Sequence, residues 1–148
     1  MGLDMYLYKD YYIGGRLAEN KDDVIEFDSK LIYKDSKKHH SFKLGVIFSI
    51  RCLAAEWRKA YAIDDWFFDK YGNGEWSFYV PQEAIPELYD IVCQILADHS
   101  KAQELLPYDT DDEDWYWDDL EETKEQLCGI CQEIRDGENY DFWYVHCA

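Results

Sequence analysis

The chain has 148 residues, the size of one ordinary domain, and its 47% apolar residues with 18% aromatics are enough to fill a single core. A formal net charge of −17 would suit a disordered chain if aromatics were scarce, but 13 Tyr, 7 Phe and 6 Trp point to a folded acidic protein. Such a charge repels nucleic acid and anionic lipid over about 8 Å at physiological salt and attracts basic partners, so direct nucleic-acid binding is not expected.

In chain order, Leu3, Met5 and Leu7 alternate with Asp4, Tyr6 and Tyr8, which predicts a half-buried opening strand. Residues 24–33 read as a second extended segment, and a lysine- and histidine-rich loop over 34–41 then leads to a hairpin partner over 42–50. From residue 52 to 71 the period changes to 3.6. Leu53, Trp57, Ala60, Tyr61, Phe67, Phe68 and Tyr71 fall on one side of a predicted helix, with Gly72-Asn73-Gly74 as its left-handed stop. Trp76, Phe78 and Val80 alternate with Glu75, Ser77 and Tyr79 as a strand. A helical stripe of Ile85, Leu88, Val92, Ile95, Leu96 and His99 follows, with Pro81 and Pro86 near its start.

After an apolar turn ending in Leu105-Leu106-Pro107, residues 109–125 pack ten carboxylates and three aromatics against one lysine. Thr110 followed by Glu113 reads as a capping box, and the acids that follow suit the positive end of a helix dipole. At 100° per residue, Asp111, Asp114, Asp118, Glu121, Glu122 and Glu125 share one side, while Tyr116, Leu120, Thr123, Leu127, Ile130 and Ile134 share the other. This helix is expected to end near Arg135, with Gly137 as its stop, and to hand over to a closing strand through Cys147 in which Phe142 and Tyr144 point one way. The fold class expected is α+β over residues 1–148: one acidic domain, a small and mostly antiparallel sheet packed against three main helices.

The opening Met-Gly-Leu-Asp-Met-Tyr-Leu-Tyr, the Trp57-Arg-Lys-Ala-Tyr-Ala-Ile-Asp-Asp-Trp-Phe67 segment, Tyr79-Val-Pro-Gln-Glu, Leu105-Leu-Pro107 and the terminal Phe142-Trp-Tyr together resemble a family of short, functionally uncharacterised bacteriophage and prophage proteins. The resemblance implies a phage or mobile-element origin and a bacterial cytoplasm, and it implies no reaction. The chain departs from that pattern at Tyr61 and Asp64, where the family tends to have Asn and His, and over residues 109–114, where it tends to have a Gly- and Phe-rich turn.

Six carboxylates over residues 111–125 would span about 21 Å of helix, about one charge per 3.5 Å, close to the spacing of phosphates along one DNA strand. The simpler reading is a solvated face that keeps an acidic protein in solution. The alternative is charge mimicry, in which Asp111, Asp114, Asp118, Glu121, Glu122 and Glu125, with Trp115 and Trp117 at the margins as anchors, bind a basic nucleic-acid-binding or defence protein of the host. Asp64 falls inside an apolar stripe, where an unpartnered polar group would cost about 2 to 7 kcal/mol, so it needs a partner (Arg51, Lys9, His146 or a tyrosine hydroxyl) or a pocket. A small-ligand or nucleotide pocket of Trp57, Arg58, Tyr61 and Asp64 is therefore the second functional reading, and a homo-oligomer is the third. The basic interval 30–59 makes the chain dipolar, which allows head-to-tail association or merely offsets self-repulsion.

His39-His40 lack companions suited to metal, and Cys128-Gly-Ile-Cys131 has CxxC spacing but is unrepeated and lies within a predicted helix. Asp109-Thr-Asp111 begins like a calcium loop, yet Asp114 and Leu120 stand where Gly and Glu are required. No catalytic motif is present, so no catalytic residue, metal or cofactor is expected. The five cysteines are expected as reduced core thiols, and with no secretory or membrane-spanning segment a cytoplasmic location is expected.

Overall fold

A computed structural model describes residues 2–12, 49–109, 111 and 113–147. By contact the chain divides into residues 1–11 with 51–148, which carry the elements below apart from the outer ends of two strands, and residues 12–50. The expected features at residues 24–33, 34–41 and 42–48, His39-His40, most of the basic interval, and the capping residue Thr110 lie outside the described residues.

The elements are β1 (Asp4–Tyr12), β2 (Ser49–Arg58), α1 (Tyr61–Tyr71), β3 (Ser77–Val80), α2 (Ala84–Ala97), a 3-10 turn (His99–Lys101), α3 (Ala102–Leu105), α4 (Glu113–Arg135) and β4 (Asp141–Cys147). They form the α+β fold expected, with an antiparallel four-stranded sheet in the order β2-β1-β4-β3. β4 is central, pairing Leu7 with Tyr144 on one side and Phe78 with Tyr144 on the other. In this register Leu3, Met5, Leu7, Ala55, Trp57, Phe78, Val80, Phe142 and Tyr144 are buried, as period-2 alternation requires of one covered face. Onto this core pack Ile63, Trp66 and Phe67 of α1, Ile85, Leu88, Val92 and Ile95 of α2, and Tyr116, Leu120, Thr123, Leu127 and Ile130 of α4.

One expected element is corrected. Residues 52–58 belong to β2 and not to a helix, which begins only at Tyr61. Leu53, Ala54, Ala55 and Glu56 favour helix in isolation, but pairing beside β1 overrides so weak a preference. The burial pattern follows the strand: Ala55 and Trp57 turn in, Glu56 and Arg58 turn out, and Leu53 is left exposed. Lys59 then takes φ +60°, a left-handed conformation that breaks the strand, and Tyr61 opens α1 with its N–H on the Lys59 carbonyl at 2.9 Å.

The stop after α1 also differs in detail. Gly72 is extended (φ −61°, ψ 138°) and donates to the Phe68 carbonyl, while Gly74 is the glycine with positive φ, +85°. Glycine is needed at 72 because a Cβ there would lie 2.5 Å from the Phe68 carbonyl oxygen. The end of α4 is as expected, Arg135 followed by Gly137 at φ +97°.

α4 is tied to the rest at four levels. Near its start the Tyr116 hydroxyl donates to the Leu106 carbonyl at 2.8 Å, and the Tyr116 ring stacks on Tyr108 at 4.0 Å. In the middle, the buried Trp57 indole N–H donates to the Thr123 hydroxyl at 2.9 Å, which itself donates to the Asp119 carbonyl at 2.6 Å. One turn on, the Gln126 amide exchanges two 2.7 Å bonds with the main chain of Glu56, occupying backbone groups of the edge strand β2. Towards its end Lys9 of β1 reaches Glu133 at 2.6 Å and holds that carboxyl below its ordinary range.

Candidate functional site

Asp111, and on α4 Asp114, Asp118, Glu121, Glu122 and Glu125, are all exposed, while the opposite stripe is buried through Ile130, with Ile134 half-buried. Among the described residues none of these six carboxylates takes part in an ion pair. From Asp114 to Glu125 the row runs about 16 Å along the helix axis at 1.5 Å per residue. A regular helix therefore presents a continuous anionic ridge, as the sequence suggested.

The two tryptophans of this region part company. Trp115 is 70% exposed, more than any other large apolar side chain described. Trp117 is half-buried, stacked on His99 at 4.0 Å and 18° and edge-on to Tyr116. Their two-residue offset places them about 200° apart around the helix, so only Trp115 flanks the ridge as a free surface.

Trp115 instead meets residues assigned from the sequence to a pocket. Arg58, Lys59, Tyr61, Trp115 and Asp119 line a cleft of about 460 Å³ where the end of β2, the start of α1 and the first turns of α4 converge. Asp64 does not line it, and Trp57 lies beneath, 3% exposed with its N–H bonded to Thr123. Trp57, Arg58, Tyr61 and Asp64 are thus divided among the core, this cleft and a second one.

The second cleft, of about 420 Å³, is lined by Asp64, Asp65, Phe68, Gly74, Glu75, Trp76 and His146. Asp64 is 6% exposed, on the buried side of α1. It finds two of the partner types its sequence environment demanded: the Tyr144 hydroxyl donates to Oδ1 at 2.6 Å, and His146 Nδ1 lies 3.0 and 2.9 Å from the two carboxylate oxygens. The other two cations are engaged elsewhere, Arg51 bidentate with Asp10 at 2.7 Å and Lys9 with Glu133. Burial and the Asp64 carboxylate hold the Tyr144 phenol protonated far above its ordinary range. A carboxylate offers only acceptors, so His146 Nδ1 carries its proton and donates.

Trp76 and Tyr144 were the parts of this constellation not singled out beforehand. Trp76, expected as an inward strand residue, is 65% exposed and sits just before β3, its ring 5.5 Å from that of His146. Its carbonyl accepts the His146 main-chain N–H at 2.9 Å, which sets the loop against β4. The available signal was the alternation of Phe142, Tyr144 and His146, which puts the last two on the same face as Met5 and Leu7.

The cysteines are corrected from core thiols to a mixed set: Cys131 is buried, Cys93 half-buried, and Cys52, Cys128 and Cys147 exposed, all free. At CxxC spacing on a helix, Cys131 is buried while Cys128 is exposed beside Tyr89 of α2. Burial, chiefly, pushes the Cys131 thiol up to about 11. At pH 8 about one Cys131 thiol in a thousand is then ionised, and native-state alkylation read by peptide mass is expected to label Cys128 and leave Cys131 unmodified. Equal labelling of the two would contradict this packing.

Among the described residues no cluster of His, Cys, Asp and Glu is arranged to hold a metal ion, and no helix is long and apolar enough to cross a membrane. No protein-family model matches the chain, and comparison with curated proteins and with solved structures gives no match.

Proposed function

We propose that this chain is a phage-type accessory protein that binds a basic, nucleic-acid-binding host protein in the bacterial cytoplasm through the anionic ridge of α4, with Trp115 as its apolar anchor. The observation that carries the reading is that all six carboxylates of Asp111, Asp114, Asp118, Glu121, Glu122 and Glu125 face outwards, with no ion pair to any described residue. A helix held near its start and at its middle by buried hydrogen bonds keeps such a row in register, so little ordering entropy is lost when a partner docks. Exposed Trp115 at one end supports it, because a large aromatic beside charge is the usual make-up of an interface anchor. The resemblance to short phage and prophage proteins supplies the setting, and the net charge of −17 selects a basic protein over nucleic acid or anionic lipid.

The test is capture from nuclease-treated host lysate with wild type and with a variant in which Asp114, Asp118, Glu121 and Glu125 are all lysine. Wild type is expected to retain a basic partner that duplex DNA displaces. Losing four exposed ion pairs, at about 0.2 to 1 kcal/mol each, removes about 1 to 4 kcal/mol, about 5- to 1,000-fold in Kd, and the reversed charges repel a basic partner besides, so the variant is expected to lose that partner. Its melting temperature should stay within a few degrees of wild type, because the substituted side chains touch no core. An identical set of captured proteins from both chains would sink the reading.

A further inference from the structure

A different part of the molecule has the chemistry of a small binding site. We infer that the cleft between α1, the 74–76 loop and β4 takes a small organic cation, an alkylguanidinium or alkylammonium group, seated against Trp76 and Phe68 and hydrogen-bonded to Asp65 and Glu75. The proposal does not depend on the ridge of α4.

The cleft's walls determine the class of ligand. Its volume, about 420 Å³, falls in the range of small-molecule sites. Its apolar surface is aromatic: Phe68 stands edge-on to the His146 ring at 5.1 Å, and Trp76 tilts over the same ring at 5.5 Å. Among the described residues its polar side chains are the carboxylates of Asp64, Asp65 and Glu75, the His146 imidazole and the indole N–H of Trp76. Asp65 and Glu75 contribute their carboxylates from exposed positions. His146 commits Nδ1–H to Asp64, and no described residue is hydrogen-bonded to its Nε2.

A wall of carboxylates and aromatic faces rejects an anion and gives a neutral ligand little. A group that brings several N–H donors and a positive charge satisfies the Asp65 and Glu75 carboxylates together, and its flat or methylene face lies on the indole as a cation–π contact. The site is also primed for positive charge: burial first, then the neighbouring Asp64 and Asp69, hold the Asp65 carboxyl above its ordinary range, so a bound cation relieves a crowding already present. The buried Asp64–Tyr144 bond fixes the floor, so the imidazole is oriented before any ligand arrives.

The test titrates N-butylguanidinium, N-butylammonium and the neutral isostere N-butylurea into the full chain at physiological salt, following the Trp76 indole N–H resonance and the heat of binding. At least one cation is expected to give a saturable Trp76 shift, and the urea at least about tenfold weaker binding. The double variant Asp65→Asn with Glu75→Gln, both at exposed positions, is expected to weaken cation binding at least tenfold, and Trp76→Ala to do so by calorimetry. The four-lysine variant of α4 is expected to bind within twofold of wild type, because none of its four positions lines this cleft. That arm separates this site from general attraction of cations to an acidic protein. A linear, unsaturable shift, an equal response to the urea, or unaltered binding in the Asp65/Glu75 variant overturns the proposal.

Discussion

Asp64→Ala is expected to lower the unfolding free energy by about 2 to 5 kcal/mol, from two hydrogen-bonding groups left without an acceptor, about 1 to 3 kcal/mol for the buried one and about 1 to 2 kcal/mol for the partly exposed one. The groups are the Tyr144 hydroxyl, on a side chain with no exposure at all, and the His146 Nδ1–H. For a chain of this length that corresponds to about 5 to 15 °C in melting temperature. Asp64→Asn separates the contributions, because the amide oxygen can still accept from Tyr144 while the amide NH₂ faces His146 Nδ1. A donor cannot meet a donor, so Nδ1 is expected to give up its proton and accept from the amide, leaving the ring protonated at Nε2. The ring-nitrogen chemical shifts of His146 read this directly: protonated Nδ1 in wild type, protonated Nε2 in Asp64→Asn. The same tautomer in both chains, with no loss of stability in Asp64→Ala, would show that the carboxylate does not organise this face.

The second large effect is expected at Phe67→Ala. Phe67 has no exposure, stacks on Tyr144 at 4.3 Å and 22°, and touches Trp57 and Trp66 edge-on or tilted at 6.1 and 5.1 Å. Removing a fully buried phenyl ring costs about 3 to 5 kcal/mol, and the ring pair with Tyr144 adds about 0.5 to 1.5 kcal/mol. Because whole-domain stability is about 5 to 15 kcal/mol, this variant is expected to melt at least 10 °C lower or to fail to fold. Phe67→Leu, which refills most of the volume without the ring, should recover more than half of the loss. A Phe67→Ala melting temperature within 3 °C of wild type would mean that α1 does not seat on β4 as described. The two positions lie one helical turn apart on the same side of α1, so their effects are not expected to add.

The helices and strands that were legible beforehand share one property: a long, uninterrupted period. α4 shows it over 23 residues, with Tyr116, Leu120, Thr123, Leu127 and Ile130 all buried as their spacing demands. β1 and β4 show it by strict alternation, Leu3, Met5 and Leu7 against Phe142 and Tyr144. Residues 52–58 were misread because Leu, Ala, Ala and Glu carry helical preference, and the alternation of Ala55 with Trp57 is too short to outweigh it. What makes them a strand is β1 alongside, a partner more than forty residues away in the chain, and Arg51 clamped on Asp10.

For the candidate sites the division is the same. The anionic ridge is a property of one helix, so it could be read directly from residues 111–125. That Asp64 needed a partner followed from placing a carboxylate in an apolar stripe, and His146 and a tyrosine were among those considered. Which partners it took was decided by the central position of β4, which carries Tyr144 and His146 under α1, a juxtaposition of side chains 80 and 82 residues apart. The separation of Trp115 from Trp117, one exposed and one stacked on His99, depended likewise on where residues 99–108 pack. Charge, amphipathic period and the demand for a buried partner are local or one-dimensional quantities, and sequence alone determined them here. Which acceptor meets which donor, and which aromatic is left in water, are settled by long-range strand order and helix docking, because only the closed core brings those groups within bonding distance.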